Sequence, residues 1–333
     1  MTKVMEIGFI GLGRMGGNMV RRLTRKGHRC HIFSSSAGTR DELARESGAV
    51  AASSLSELVA SLALPRRLWV MVPAGPATDA VIDELIGLCD PGDVIVDGGN
   101  SHFKQTVARA RKCLEAGIDL VDCGTSGGVY GLTRGYSLMV GGQTNAVAAL
   151  DSVFDALSPG IAAAPRLDLH EGAEPAPGEH GWLHCGPPGS GHYVKMIHNG
   201  IEYGMMQAMA EGFALLASAG QEALPAEHRY QLDLGAIAEV WRRGSVVSSW
   251  LLDLGAKALV EDPSLQGYSP QVADSGEGRW TIEAAIDQRV SAQVLAAALF
   301  ARFDSRDDVQ LGNRFLSALR HQFGGHPSLS SGS

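Results

Sequence analysis

The sequence has little cysteine, and what it has carries no pattern. Cys30, Cys89, Cys113, Cys123 and Cys185 are scattered over 333 residues without a C-x-x-C pair. An odd, unpatterned set fits a reducing compartment better than a disulfide framework. No run of Lys and Arg stands out, and the balance is acidic, 28 basic residues against 36 acidic ones for a net charge of −8. That argues against the clustered positive surface of a nucleic-acid binder. It leaves room for an anionic small molecule, for which a few local cations suffice. No span approaches the roughly 20 apolar residues of a membrane helix, and Met1–Ile10 holds no segment resembling a signal peptide. The expectation is a soluble, cytoplasmic protein with neither nucleic acid nor membrane as partner.

What is present is apolar material for a core, 45% hydrophobic against 19% charged residues, in a chain long enough for two domains. The first half alternates strand-like and helix-like stretches. Met5–Ile10, Arg29–Phe33, Arg67–Val72, Val94–Asp97 and Leu120–Asp122 read as strands. Gly17–Lys26, Arg40–Glu46, Ala77–Cys89 and Gln105–Ala116 read as helices between them. Such alternation implies βαβ units and a parallel sheet buried on both faces. Asn145–Leu157 reads as a further helix, and the Gly, Pro and Ala-rich stretch 162–191 reads as a loop or linker. Beyond it the pattern is helical: His192–Ala219, Gly235–Leu254, Ile282–Phe303 and Asn313–Phe323. The expected fold is an α/β Rossmann-type N-terminal domain over 1–180, with an all-α C-terminal domain over 181–333 for substrate and oligomerisation.

The strand-like Met5–Ile10 runs straight into Gly11-Leu12-Gly13-Arg14-Met15-Gly16, a G-x-G-x-x-G followed by a helix. Glycines allow the sharp turn and let backbone N–H groups approach a pyrophosphate, while the helix N-terminus faces the anion. The motif alone is weak. Its place between a strand and a helix is the confirming context. Val72, Pro73 and Ala74, after a later strand, and Asn100 are further cofactor candidates. NAD sites carry an acid at the end of the second strand; here that position reads Ser34-Ser35-Ser36, with Arg40 a turn further on. Three hydroxyls and an arginine favour NADP slightly and admit NAD, while the serines also read as ordinary loop residues.

The most informative stretch is Gly191–Tyr203. Lys195, His198, Asn199 and Glu202 are spaced i, i+3, i+4, i+7, which places all four on one face of a helix. Val194, Met196, Ile197, Ile201, Met205 and Met206 flank them, so the helix reads as largely buried. A buried lysine loses solvation and becomes a base near neutral pH. The competing reading is a charged surface face with paired side chains.

Three stretches resemble the 6-phosphogluconate dehydrogenases: Asp97-Gly-Gly-Asn-Ser101, Asp122-Cys-Gly-Thr-Ser-Gly-Gly128 and Lys195-Met-Ile-His-Asn-Gly-Ile-Glu-Tyr203. Arg279-Trp-Thr281, Phe300-Ala-Arg302 and Arg320-His-Gln-Phe-Gly-Gly-His326 support them. The resemblance covers nearly the whole chain and is weakest over 162–181 and 217–238. It implies that Lys195 takes the proton of the substrate's C3 hydroxyl as hydride leaves C3, then polarises the 3-keto group during decarboxylation. Glu202 would protonate C1 of the enediol. Asn100, Ser126, Gly127, Gly128, His198 and Asn199 would hold the carboxylate and hydroxyls. Tyr203 and Arg302 would hold the phosphate, joined by Arg320 and His326 from a second subunit.

The chain departs from the long form of that family in three ways. It has one helical block instead of two. The loop before Trp280, Asp274-Ser-Gly-Glu-Gly-Arg279, lacks the long form's phosphate-contacting lysine, a loss Arg279 would offset. Ser34–Ser36 replaces the Asn-Arg-Thr that reads NADP. The single block implies a homodimer or homotetramer. The alternative is a 3-hydroxyisobutyrate-type dehydrogenase without decarboxylation, against which Asp97-Gly-Gly-Asn100 speaks. No metal is expected: His170, His180 and His184 have irregular spacing, and a protonated lysine can stabilise the enediolate. His28, His31, His102 and His321 read as surface or packing residues.

Overall fold

A computed structural model describes residues 4–168, 172–308 and 310–324. The chain divides into two compact units, Met1–His198 and Asn199–Ser333.

The first unit alternates strand and helix: β1 Glu6–Ile10, α1 Arg14–Arg25, β2 Arg29–Phe33, α2 Ala37–Ser47, β3 Val50–Ala51, α3 Leu55–Ala60, β4 Arg67–Val70, α4 Pro76–Ile86, β5 Val94–Asp97, α5 Phe103–Glu115 and β6 Asp119–Ser126. Then follow α6 Gly131–Arg134, β7 Ser137–Gly141, α7 Thr144–Ala148, α8 Asp151–Leu157, β8 Trp182–Gly186 and the long α9 Ser190–Ser218, which runs past the division at 198. The strands form one sheet in the order β3-β2-β1-β4-β5-β6-β7-β8, parallel except where β7 pairs antiparallel to β6. This is the Rossmann-type architecture expected.

Both sheet faces are covered, as alternation along the strands requires. Ile7, Phe9, Trp69, Val94 and Val96 pack with Met19, Val20 and Leu23 of α1 and Phe154 of α8. Ile10, Leu68, Val70 and Ile95 face the other way, against Leu58, Ile82, Leu85 and Cys113 of α3, α4 and α5. The chain leaves β1 towards β2 on one side and β4 lies on the other. The carboxyl ends of β1 and β4 therefore flank the switch in strand order, where ligands enter such sheets.

The second unit is helical beyond α9: α10 Leu234–Arg242, α11 Trp250–Glu261, α12 Glu277–Gln288, α13 Gln293–Asp304 and α14 Leu311–Gly324. The sequence reading joined several of these. Its Gly235–Leu254 helix is α10 and α11, parted near Gly244 at φ +126. Its Ile282–Phe303 helix is α12 and α13, parted at Arg289 in the left-handed region. Asn145–Leu157 is likewise two short helices. β3, β7 and β8 were not expected, and β8 lies inside the stretch taken for a linker. Nor is α9 buried along its flank, since Val194, Ile201 and Met205 are exposed.

Candidate active site

The glycine turn folds as a dinucleotide cradle. Gly11 has φ +91, and a Cβ there would lie 2.3 Å from the Met71 carbonyl oxygen. A Cβ at Gly16 would lie 2.1 Å from the Gly11 carbonyl oxygen, so the first turn of α1 packs directly on the loop. Gly13, by contrast, opens onto nothing within 4 Å and precedes α1 without a side-chain cap. That leaves bare backbone N–H groups where a pyrophosphate would sit. Leu12 is buried, Met15 is half-buried and packs on the core, and Arg14 faces solvent. Val72 lies against Gly11, and Pro73 and Ala74 are exposed beyond it. The residues present fit a dinucleotide.

The serine turn is internally bonded. The Ser36 hydroxyl caps α2, accepting from Thr39 N at 3.4 Å, and Ser36 N donates to Ser34 Oγ. Ser35 is exposed.

Asn100 is the exposed residue of an otherwise buried loop. Beneath it, the Asp97 carboxylate accepts from Gly99 N, from Ser101 Oγ at 2.8 Å and from Arg109 Nη1 at 3.1 Å. Arg109 is in turn held by Asp79. Gly98 is required because a Cβ would lie 2.2 Å from the Trp69 indole nitrogen. Asp79 and Arg109 were not singled out from the sequence.

Lys195 is set by a register between β6 and α9. Asp122, Gly124 and Ser126 share one face of β6, two residues apart. The Asp122 carboxylate accepts from Gly189 N at 2.6 Å and His192 N at 2.8 Å, anchoring the start of α9. One turn on, Gly124 lies against Lys195, and one turn further Ser126 Oγ lies 3.3 Å from His198 Nε2. Lys195 Nζ lies 3.3 Å from His198 Nδ1, and Lys195 is 6% exposed. Gly127 and Gly128 both have positive φ and turn the chain out of β6. The sequence reading quoted Asp122 and Gly124 within a motif but gave neither a role, although a glycine inside a strand often marks such a close approach.

In the second unit, Asn199 and Glu202 are half-buried on α9 and Tyr203 is buried. The Arg302 guanidinium stacks 3.5 Å from the centre of the Tyr203 ring and donates to Ala273 O. The Tyr203 hydroxyl accepts from Ser275 N. Beside this pair, buried Asp274 holds Arg279 through two bonds of 2.9 Å and Arg306 at 2.8 Å. Asp274 thus gathers two arginines, Arg279 and Arg306, and Arg306 was not singled out from the sequence. Arg320 is exposed on α14, and His326 lies outside the described residues.

Among the described residues no group of three or more His, Cys, Asp or Glu is arranged to hold a metal. His184 bonds the carbonyls of Gly142 and Gly186, His180 lies 3.9 Å from Asp155, and His170 is outside the described residues.

Comparison with known proteins identifies a family. The family model described as the NAD binding domain of 6-phosphogluconate dehydrogenase matches residues 6–164. A relative from Haloferax volcanii, named as an NAD(+)-dependent, decarboxylating 6-phosphogluconate dehydrogenase, is 43% identical over 97% of this chain and 98% of its own. A putative 6-phosphogluconate dehydrogenase from Bacillus subtilis is 37% identical over 97% of this chain and 98% of its own. Among solved structures, the 6-phosphogluconate dehydrogenase of Plasmodium falciparum superposes with a TM-score of 0.75 at 24% identity, over 98% of this chain and 67% of that one. The fold is thus shared with a longer protein, and the sequence with relatives of its own length. The chain belongs to the 6-phosphogluconate dehydrogenase family.

Proposed function

We propose that the chain oxidises and decarboxylates 6-phospho-D-gluconate to ribulose 5-phosphate and CO2, reducing NAD or NADP. The observation that carries this reading is Lys195, buried on α9 and held at 3.3 Å from His198 by the β6 register. The bound nicotinamide supplies the hydride acceptor. Lys195 takes the C3 hydroxyl proton as general base. The ammonium so formed then stands against the 3-keto oxygen and favours the charge that develops as CO2 leaves. Glu202, seven residues on along α9, donates the proton to the carbon that has lost CO2, C1 of the resulting enediol. Asn100, Ser126, Gly127, Gly128, His198 and Asn199 hold the carboxylate and hydroxyls. Tyr203 and Arg302 hold the phosphate, with Arg320 and His326 supplied by a partner subunit.

Assembly as a homodimer or homotetramer is part of this reading. Val240, Val246, Val260, Ile286, Val290, Val294 and Phe300 all leave apolar surface exposed on the second unit, which a symmetric partner could cover. No described helix is long and apolar enough to cross a membrane.

The reading is tested by comparing kcat/KM for 6-phosphogluconate, gluconate and 3-hydroxyisobutyrate. A site built around a phosphate should disfavour the unphosphorylated acids on the order of 10³-fold or more. Equal or better turnover of 3-hydroxyisobutyrate would instead establish a small 3-hydroxy acid as substrate.

A further inference from the structure

The end of β2 carries no acid, yet the fold delivers two acids to it from elsewhere. β2 and β3 pair in parallel with His31 opposite Val50 and Ile32 opposite Ala51. The bond from Ala52 N to Ile32 O, at 2.9 Å, carries the ladder on to Ala52. Ser53 in turn fixes a carboxylate: its N–H donates to Glu57 Oε2 at 2.7 Å, and its hydroxyl bonds the same oxygen. Glu57 belongs to the first turn of α3, so the residue that follows Ala52 holds a carboxylate from that helix.

Arg40 comes to the same place from α2. Its Nη1 donates to Ala52 O at 3.3 Å and its Nε to Asp41 Oδ1 at 2.8 Å. The Arg40 side chain is 16% exposed, whereas Asp41 is 56% exposed. The guanidinium is tucked against the strand and the carboxylate stands outward. Arg40 also acts through space on Glu57, whose carboxyl lies below its usual range chiefly because of the Ser53 hydroxyl. One cation thus faces two carboxylates. The nearby hydroxyls are partly committed as well, Ser36 to the α2 cap and to Thr39, Ser34 to Ser36 N.

We infer that Asp41 and Glu57 determine cofactor choice, making the adenosine end of the site select NAD over NADP. This rests on the reading that the glycine turn binds a dinucleotide. A 2′-phosphate brings close to two negative charges to the Ser34–Ser36 turn. To meet it, Arg40 must leave both Asp41 and the Ala52 carbonyl, and the freed Asp41 then adds to the repulsion from Glu57. A 2′-hydroxyl needs only a hydrogen-bond partner and meets no such repulsion. The acid that other NAD sites carry on β2 is supplied here by the neighbouring helices α2 and α3.

The test is a fluorescence titration of the whole protein with NADH and with NADPH, without sugar acid, so that it does not depend on the substrate assignment. Wild type should bind NADH about 10-fold or more tightly than NADPH. The Asp41→Asn, Glu57→Gln double variant should narrow that ratio several-fold, and adding Arg40→Ser should widen it again, because the released guanidinium is then gone. Raising the salt concentration should narrow the wild-type ratio as well. A wild type that prefers NADPH, or a double variant that binds both nucleotides in the wild-type ratio, overturns the inference alone. If wild type binds neither nucleotide, the dinucleotide reading falls and the inference with it.

Discussion

Gly124 on β6 stands directly beneath Lys195 on α9: a Cβ at position 124 would lie 2.3 Å from the lysine Cβ and 2.9 Å from the Gly191 carbonyl oxygen. Real Cβ atoms do not approach so closely, so even a methyl group would force α9 off β6. Gly124→Ala should therefore displace Lys195 and lower kcat about 10²-fold, since shifts near an ångström are felt on that scale. NADH affinity should stay within about 2-fold, because the glycine turn lies elsewhere on the sheet. Unchanged kcat in Gly124→Ala would show that the register does not set the base.

Lys195→Met keeps the side chain out to its ε carbon and removes its nitrogen. Turnover should fall by ~10²-fold or more while dinucleotide binding persists. Near wild-type turnover with 6-phosphogluconate would remove Lys195 from the proposed chemistry.

Asp122 is the other anchor of the same register. Asp122→Ala leaves the buried N–H groups of Gly189 and His192 without their charged acceptor. Urea denaturation should show a loss of roughly 3 kcal/mol, the usual consequence of orphaning two buried donors. A loss below about 1 kcal/mol would mean that the start of α9 is held by other contacts.

Asp274 yields a pH prediction. Arg279 first, and Arg306 after it, hold its carboxyl below the usual range. A depressed folded pKa contributes stability above the unfolded value, near 3.9, and that contribution is lost as pH falls through the folded value. Asp274→Asn should thus be less stable than wild type near neutral pH, and the gap should shrink towards about pH 3. A gap of constant size across that range would contradict the pairing.

The tail makes a prediction about assembly. α14 presents Leu311, Phe315, Leu316 and Leu319 as exposed apolar side chains, with Arg320 one turn beyond Leu316. Truncation after Phe315 should raise the KM for 6-phosphogluconate about 10-fold or more, as loss of charged phosphate contacts does. Mixing truncated chains with Lys195→Met chains should restore activity, since an intact pocket can then borrow a tail. Hybrids shown to form but still inactive would place the tail's action within its own subunit, or nowhere in catalysis.

Much of this was legible beforehand where local chemistry decides. The Gly11–Gly16 turn, the alternating strands from β1 to β6 and the Lys195 helix all carry their signal within a dozen residues. The missed elements depend on distant partners. β7 and β8 are short, and β8 interrupts a Gly and Pro-rich stretch; each is a strand because the growing sheet offers it an edge. The breaks over 243–249, with Gly244 at positive φ, and over 289–292, with Arg289 left-handed, are short loops that a helical period reads through. Asp122 looks like any motif acid until α9 is laid across it. Around Ser34–Ser36, only the fold brings in the Arg40 contact to Ala52 and the Glu57 carboxylate held by Ser53.

The central claim is best tested by incubating the protein with 6-phosphogluconate and each nicotinamide cofactor, following reduced nicotinamide and released CO2 together. The account predicts that the two form in equal amounts. Reduced nicotinamide accumulating without CO2, or no reduction with either cofactor, would contradict it.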